Sequence, residues 1–241
     1  MSPFLAEVLG TTLLVIFGDG VVANVLLNKS KGQNAGWIVI SAGWAVAVTV
    51  AVYTVNAVSG AHLNPAVTIA MAAIGKFPWA DVPSYLAAQI IGGFLGGVIV
   101  WLAYLPHWAV TPDRGLKLGV FCTAPAIRST GANLVTEIVG TAVLLIGLLA
   151  ILTPANLVPN TGFDKGLAPL LVGVLVFGIG LSLGGPTGYA INPARDLGPR
   201  LAHAVLPIAG KGGADWGYAW IPVIGPILGG LLGALIYRTL W

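Results

Sequence analysis

Six apolar stretches, at residues 3–27, 36–57, 82–105, 131–152, 166–184 and 217–240, each approach the ~20 residues that a helix needs to cross a hydrocarbon core. Lipid cannot satisfy an unpaired backbone N–H or C=O, so such a chain is restricted to helices or to a closed barrel. Long alternating strands with turn signals are missing, which leaves an all-α membrane protein. Charge supports this: only 8% of the 241 residues are Asp, Glu, Lys or Arg, against roughly 25% in soluble domains. The net charge of +3 is small and its basic residues are dispersed, which argues against a nucleic-acid-binding stripe. A single cysteine, Cys122, has no internal disulfide partner. With no Lys or Arg ahead of it, the first apolar run is expected to be a retained span rather than a cleaved leader.

Two further apolar pieces, about 64–74 and 192–203, are too short to span. At ~1.5 Å per residue each helix would measure about 15–18 Å, roughly half of a ~30 Å core. Each opens with the same tripeptide, Asn64-Pro65-Ala66 in SGAHLNPAVT and Asn192-Pro193-Ala194 in GPTGYAINPARDLGP. The surrounding sequence also repeats: AEVLGTTLL (6–14) resembles TEIVGTAVL (136–144), pairing Glu7 with Glu137, and IGGFLGG (91–97) echoes LGGLLGA (228–234). One domain, 1–241, is therefore expected to hold two repeats, about 1–110 and 131–241. Three crossings per repeat invert the second copy. The half-spans then enter from opposite faces and their starts meet near the midplane.

Asparagine is a favoured N-cap, and proline suits the first helical turn because its missing N–H would lack a partner anyway. If each Asn oxygen caps its own helix, each side-chain NH₂ is expected to be free for a passing molecule. Two helix N-termini facing one point create a positive potential there. Irregular backbone at membrane depth is tolerable only where it is buried in protein or lines a wet cavity. The combination predicts a narrow pore that excludes cations and protons and passes neutral hydrogen-bonding solutes. A coupled transporter also uses inverted repeats and broken helices, but normally carries ionisable residues at its midplane, and the paired Asn centre is uncharged. A membrane enzyme would need a nucleophile or metal cluster; His107 and His203 show no ligand spacing, and both are expected near interfaces.

On these residues the chain resembles the aquaporin superfamily over its whole length. Three features resemble its glycerol-facilitator, or aquaglyceroporin, branch: Asp196 after Asn192-Pro193-Ala194-Arg195, Arg200 just downstream, and Pro222-Val223 in the last span. The resemblance implies the aquaporin fold, with six transmembrane helices plus two half-spanning helices. It implies a passive, non-enzymatic channel for glycerol, other small uncharged solutes and water, without a cofactor. It also implies a homotetramer in the cell membrane with both termini in the cytoplasm, in contact with membrane lipids. On that topology only Lys76, Lys165 and Arg238 of the eleven Lys and Arg are cytoplasmic, the reverse of the usual positive-inside bias.

The resemblance further implies a four-residue selectivity filter of Trp44, Gly180, Tyr189 and Arg195. Arg195 would offer planar donors to solute oxygens and a charge that repels cations. Trp44 and Tyr189 would form an apolar corner for a polyol's carbons, and Gly180 would keep the opening wide. Tyr189 stands where well-known bacterial glycerol facilitators have Phe, which leaves glycerol, dihydroxyacetone, urea, peroxide and protonated small acids open as solutes. Glu7 and Glu137 are intramembrane carboxylates and so functional candidates on that ground alone. The family role implied for them is to hold the two signature loops, with His62 bordering the inner half of the pore. Asp19 is expected near the outer end of the first span, facing water or a partner subunit. Gly92, Gly96, Gly229 and Gly233 form Gly-x-x-x-Gly pairs that predict close helix packing.

Overall fold

The computed structural model describes residues 1–158 and 162–241, so part of the segment connecting the fourth and fifth spans lies outside the described residues. Its elements fall into two runs of the same order. The first contains α1 (Pro3–Leu26), α2 (Trp37–Ser59), the short α3 (Pro65–Ala73) and α4 (Val82–Ala103). Two small helices follow, α5 (Leu105–Val110) and α6 (Arg114–Phe121). The second run contains α7 (Thr130–Ile151), α8 (Phe163–Leu183), the short α9 (Pro193–Val205) and α10 (Ile221–Leu240). Six of these helices are long and apolar enough to cross a membrane, and no strand occurs among the described residues. This is the all-α architecture expected from the apolar runs.

Local chemistry sets most of the ends. Ser2 caps α1, accepting from the Leu5 N–H at 3.3 Å, and Pro3 occupies the first turn. α2 stops at Gly60, whose φ of 78° is left-handed. The last span begins at Ile221 rather than residue 217, because Trp216–Trp220 is drawn into turns, with the Ile221 N–H donating to the Tyr218 carbonyl at 2.9 Å. The segment between the repeats is more regular than expected. Asp113 caps α6 by accepting from the N–H groups of Gly115 at 2.7 Å and Leu116 at 3.1 Å. α6 packs on α1 and α9 and buries Lys117, Val120 and Phe121.

Helix packing crosses the two runs. α1 packs on α4 as α7 packs on α10, while α2 lies against α8. The last span of each run seats the short helix of the other: α4 holds α9 and α10 holds α3. A Cβ at Gly93 would lie 2.5 Å from the Ala194 carbonyl, and one at Gly230 would lie 3.0 Å from the Ala66 carbonyl. The bare backbone of these two helices therefore lets the short helices come against them. The Gly-x-x-x-Gly pairs serve the other face, with Gly92 and Gly96 against α1 and Gly229 and Gly233 against α7.

Replacing Gly229 by Ala puts a Cβ on the Ile138 carbonyl, whereas nothing lies within 4 Å of a Cβ at Gly178. Gly229→Ala is expected to destabilise the protein by about 1–3 kcal/mol and Gly178→Ala to leave it unchanged or slightly firmer. Thermal unfolding of the two variants in one detergent checks this.

Candidate functional site

α3 and α9 begin face to face. The Asn64 Oδ1 accepts from the Ala66 N–H at 2.9 Å, and the Asn192 Oδ1 accepts from the N–H groups of Ala194 at 2.9 Å and Arg195 at 3.3 Å. Pro65 and Pro193 follow as first helical residues. The side-chain amides are not wholly free, as the sequence had suggested. Asn64 Nδ2 donates to the Ile191 carbonyl and Asn192 Nδ2 to the Leu63 carbonyl, each at 2.8 Å. An amide NH₂ carries two hydrogens, so each Asn ties the opposite loop with one and has a second left over. Both asparagines line a cavity of about 280 Å³.

The loops ahead of these caps adopt an unusual and repeated backbone. Ala61 and Leu63 have φ of 49° and 52°, and Tyr189 and Ile191, at the same offsets from the second Asn, have 37° and 42°. Left-handed backbone costs a residue with a Cβ roughly 1–2 kcal/mol. Two buried carboxylates hold these conformations. Glu7 accepts from the N–H groups of His62 at 3.0 Å and Leu63 at 2.7 Å, and Glu137 from those of Ala190 at 3.0 Å and Ile191 at 2.9 Å. Gln89 and Ser59 complete the shell of Glu7, and Thr187 that of Glu137. Peptide N–H and C=O groups point opposite ways, so anchoring the N–H groups behind each loop turns carbonyls toward the cavity. Gly60, Ala61 and His62 line it on one side of the asparagines and Tyr189 and Ala190 on the other.

Trp44, Tyr189 and Arg195 gather at one end of the same cavity. The Arg195 guanidinium carbon lies 4.0 Å from the centre of the Trp44 ring. Gly180 is placed differently: it is buried and lies behind Tyr189. A Cβ there would meet Tyr189 Cζ at 2.9 Å, its hydroxyl at 3.0 Å and Ser41 Oγ at 3.1 Å. Gly180 thus widens the cavity by giving the tyrosine ring room to lie back. Its carbonyl accepts from Trp37 Nε1 at 2.8 Å, and the Trp37 ring meets Tyr189 edge-on at 5.8 Å.

His62 lines the opposite half of the cavity, its Nδ1 3.1 Å from Thr68 Oγ1 and its ring against Phe77 and Tyr85. Asp196 does not touch the cavity. It accepts from the Thr123 N–H and hydroxyl at 2.7 and 2.6 Å and from Arg200 at 2.8 Å, pinning the segment after α6 to α9. His203, in the last turn of α9, is fully buried against Phe121, because α6 covers its face of α9. One expectation is corrected, that for Asp19. Asp19 faces neither water nor a partner: it is fully buried, 3.7 Å from Arg195 Nη1, because α1 also touches α9.

Sequence reasoning missed Ser59, Thr187, Gln89 and Thr123. The first two carried a readable signal. Aligned on their asparagines, SGAHLNPA and TGYAINPA both place a hydroxyl residue and then a glycine five and four positions ahead. Nothing in the local sequence marks Gln89 or Thr123.

Six spanning helices enclosing a cavity whose midpoint is built from two opposed half-helices define a transmembrane pore of the aquaporin fold. The match to known proteins is equally extensive. The family described as major intrinsic protein matches residues 1–237. A Thermotoga maritima protein named "Probable glycerol uptake facilitator protein" is 63% identical over 100% of both chains. Glycerol uptake facilitator protein 3 of Lactiplantibacillus plantarum is 58% identical over 98% of this chain and 95% of its own. Among solved structures, the aquaglyceroporin of Plasmodium falciparum superposes with a TM-score of 0.86 at 29% identity, covering 98% of this chain and 95% of its own. The chain belongs to the major intrinsic protein family.

Glu137→Gln keeps the size of the side chain but leaves one acceptor for the N–H groups of Ala190 and Ile191 and the Thr187 hydroxyl. Each buried donor left unpaired costs about 1–3 kcal/mol, enough to release the left-handed loop. Solute flux per inserted protein is expected to fall about tenfold or more, measured in proteoliposomes normalised to protein content.

Proposed function

We propose that this chain is a passive channel for glycerol and similar small uncharged solutes, with water as a second passenger, and that it excludes ions and protons. The observation that carries the reading is the two-sided end of the cavity. Trp44 and Tyr189 supply aromatic carbon while Arg195, stacked over the Trp44 ring, supplies donors. A polyol fits such a wall with its carbons on the aromatic side and its hydroxyl oxygens toward the guanidinium. Beyond it, the turned-out carbonyls accept solute hydroxyl hydrogens and the remaining Asn64 and Asn192 hydrogens donate to solute oxygens. A hydrated cation meets two helix N-termini at the midpoint, where the backbone field is positive. The glycerol facilitators at 58–63% identity support glycerol as the solute.

In this reading Trp44, Tyr189 and Arg195 form the selectivity filter, with Gly180 as the space behind it. Glu7 and Glu137 are loop supports, and Asp196 is an outer clamp. The channel sits in the cell membrane with both termini in the cytoplasm and assembles as a homotetramer with one pore per chain. The exposed leucines, valines and tryptophans of the six spans suit lipid and neighbouring subunits.

Stopped-flow light scattering on proteoliposomes tests the proposal with water, glycerol, urea and lactic acid at pH values on either side of its pKa. Fast, non-saturating glycerol entry independent of ion gradients is the expected result. Entry at the empty-liposome rate would overturn it. Gly180→Ala and Gly180→His are expected to lower glycerol flux progressively and more than water flux, because any Cβ at that position pushes Tyr189 into the opening. Equal losses for the two solutes would remove Tyr189 from the filter.

A further inference from the structure

Of the two buried acids on α1, Glu7 holds the first loop, and Asp19 has no role in what has been described so far. Asp19 is 0% exposed, and neither carboxylate oxygen has a hydrogen-bond partner. Among the described residues its ion pair is with Arg195 Nη1, at 3.7 Å, and that nitrogen is also buried and without a hydrogen-bond acceptor. Asp196 adjoins Arg195 in sequence, but its carboxylate is taken up by Thr123 and Arg200. The guanidinium also stacks over the Trp44 ring, 4.0 Å from its centre. Trp44 is in turn backed by Gly18, where any Cβ would overlap the indole. Two consecutive residues of α1 therefore address the two halves of one stack: Gly18 receives the indole and Asp19 faces the guanidinium.

A buried acid without local hydrogen bonds is a destabilising feature unless something opposite compensates its charge. Here that is Arg195. The converse holds for Arg195, whose Nη1 has this carboxyl group as its acidic neighbour.

We propose that Asp19 is the counter-ion of the filter: it positions Arg195 against Trp44 and makes the constriction electrically neutral. Arg195 then serves as an oriented hydrogen-bond donor to solute oxygens, and exclusion of cations falls to the paired helix N-termini at Asn64 and Asn192. This assignment rests on reading Trp44, Tyr189 and Arg195 as the constriction. It makes Asp19 a specificity-determining residue that acts through Arg195 without touching the solute. It also gives the two charged residues opposite effects on ion passage. Removing Arg195 bares a carboxylate beside the opening, while neutralising Asp19 leaves an unmatched guanidinium.

The test is a double-mutant cycle of Asp19→Asn, Arg195→Ala and the combined variant. Potassium and chloride leak and glycerol entry are read in the same proteoliposomes, normalised to inserted protein. Arg195→Ala is expected to raise potassium leak about tenfold and Asp19→Asn to raise chloride leak by a similar factor, as for coupled buried charges. The combined variant is expected to return both leaks toward the unmodified level. Asp19→Gly, which adds no side chain to α1, is expected to behave as Asp19→Asn and guards against a misfolded asparagine variant. Potassium leak that is the same in Arg195→Ala and in the combined variant would overturn the proposal. So would leaks of one sign in both single variants. Ion leaks are read independently of glycerol, so a channel that failed to pass glycerol would refute the proposed solute while the cycle still judged the ion pair.

Discussion

The site depends on two carboxylates placed where lipid would normally forbid them. Glu7 and Glu137 each bind the N–H groups of consecutive residues in a loop whose backbone is left-handed at two non-glycine positions. Without an acceptor those N–H groups would be unpaired at membrane depth, and the loops would lose their reason to hold that conformation. With the acceptor in place, its hydrogen bonds to the loop offset both the backbone strain and the desolvation of the carboxylate, and the carbonyls are turned to one side. The cavity wall, the meeting asparagines and the orientation of Tyr189 all follow from this. Tyr189 is itself one of the left-handed residues, so its ring is aimed by a backbone that Glu137 secures two and one residues further on.

The rest of the architecture serves to bring these loops together. Each short helix lies mainly on the last span of the other run, α9 on α4 and α3 on α10, each where a glycine lets backbone approach backbone. The asparagine amides then exchange hydrogen bonds with the opposite loops. Neither half of the chain completes its own part of the pore. A change at the α4–α9 contact is therefore transmitted to Asn192, to the Leu63 carbonyl it binds, and so to the first loop.

Much of this was legible from residue types and spacing. The apolar runs located all six spans, with ends moved by a few residues where turns or caps intervened. Asn64-Pro65 and Asn192-Pro193 located the short helices, because capping is a local reaction between a side chain and the next few N–H groups. The glycine pairs predicted close helix contacts. The hydroxyl-glycine pair ahead of each asparagine was present to be read and was passed over. Gln89 and Thr123 could not be identified, since their partners Glu7 and Asp196 lie far away in sequence on other elements.

The sequence alone thus determined the membrane class, the two-fold repetition and the chemistry at the start of each short helix, all of which depend on periodicity or on neighbours within one turn. Tertiary structure decided three matters that depend on contacts between distant segments. It placed Gly180 behind Tyr189 instead of on the cavity wall. It engaged one hydrogen of each asparagine amide with the opposite loop. It buried Asp19 beside Arg195 rather than at a wet surface, for α1 and α9 belong to different halves of the chain and are brought together only by their packing, and a carboxylate's partner is set by distance in space.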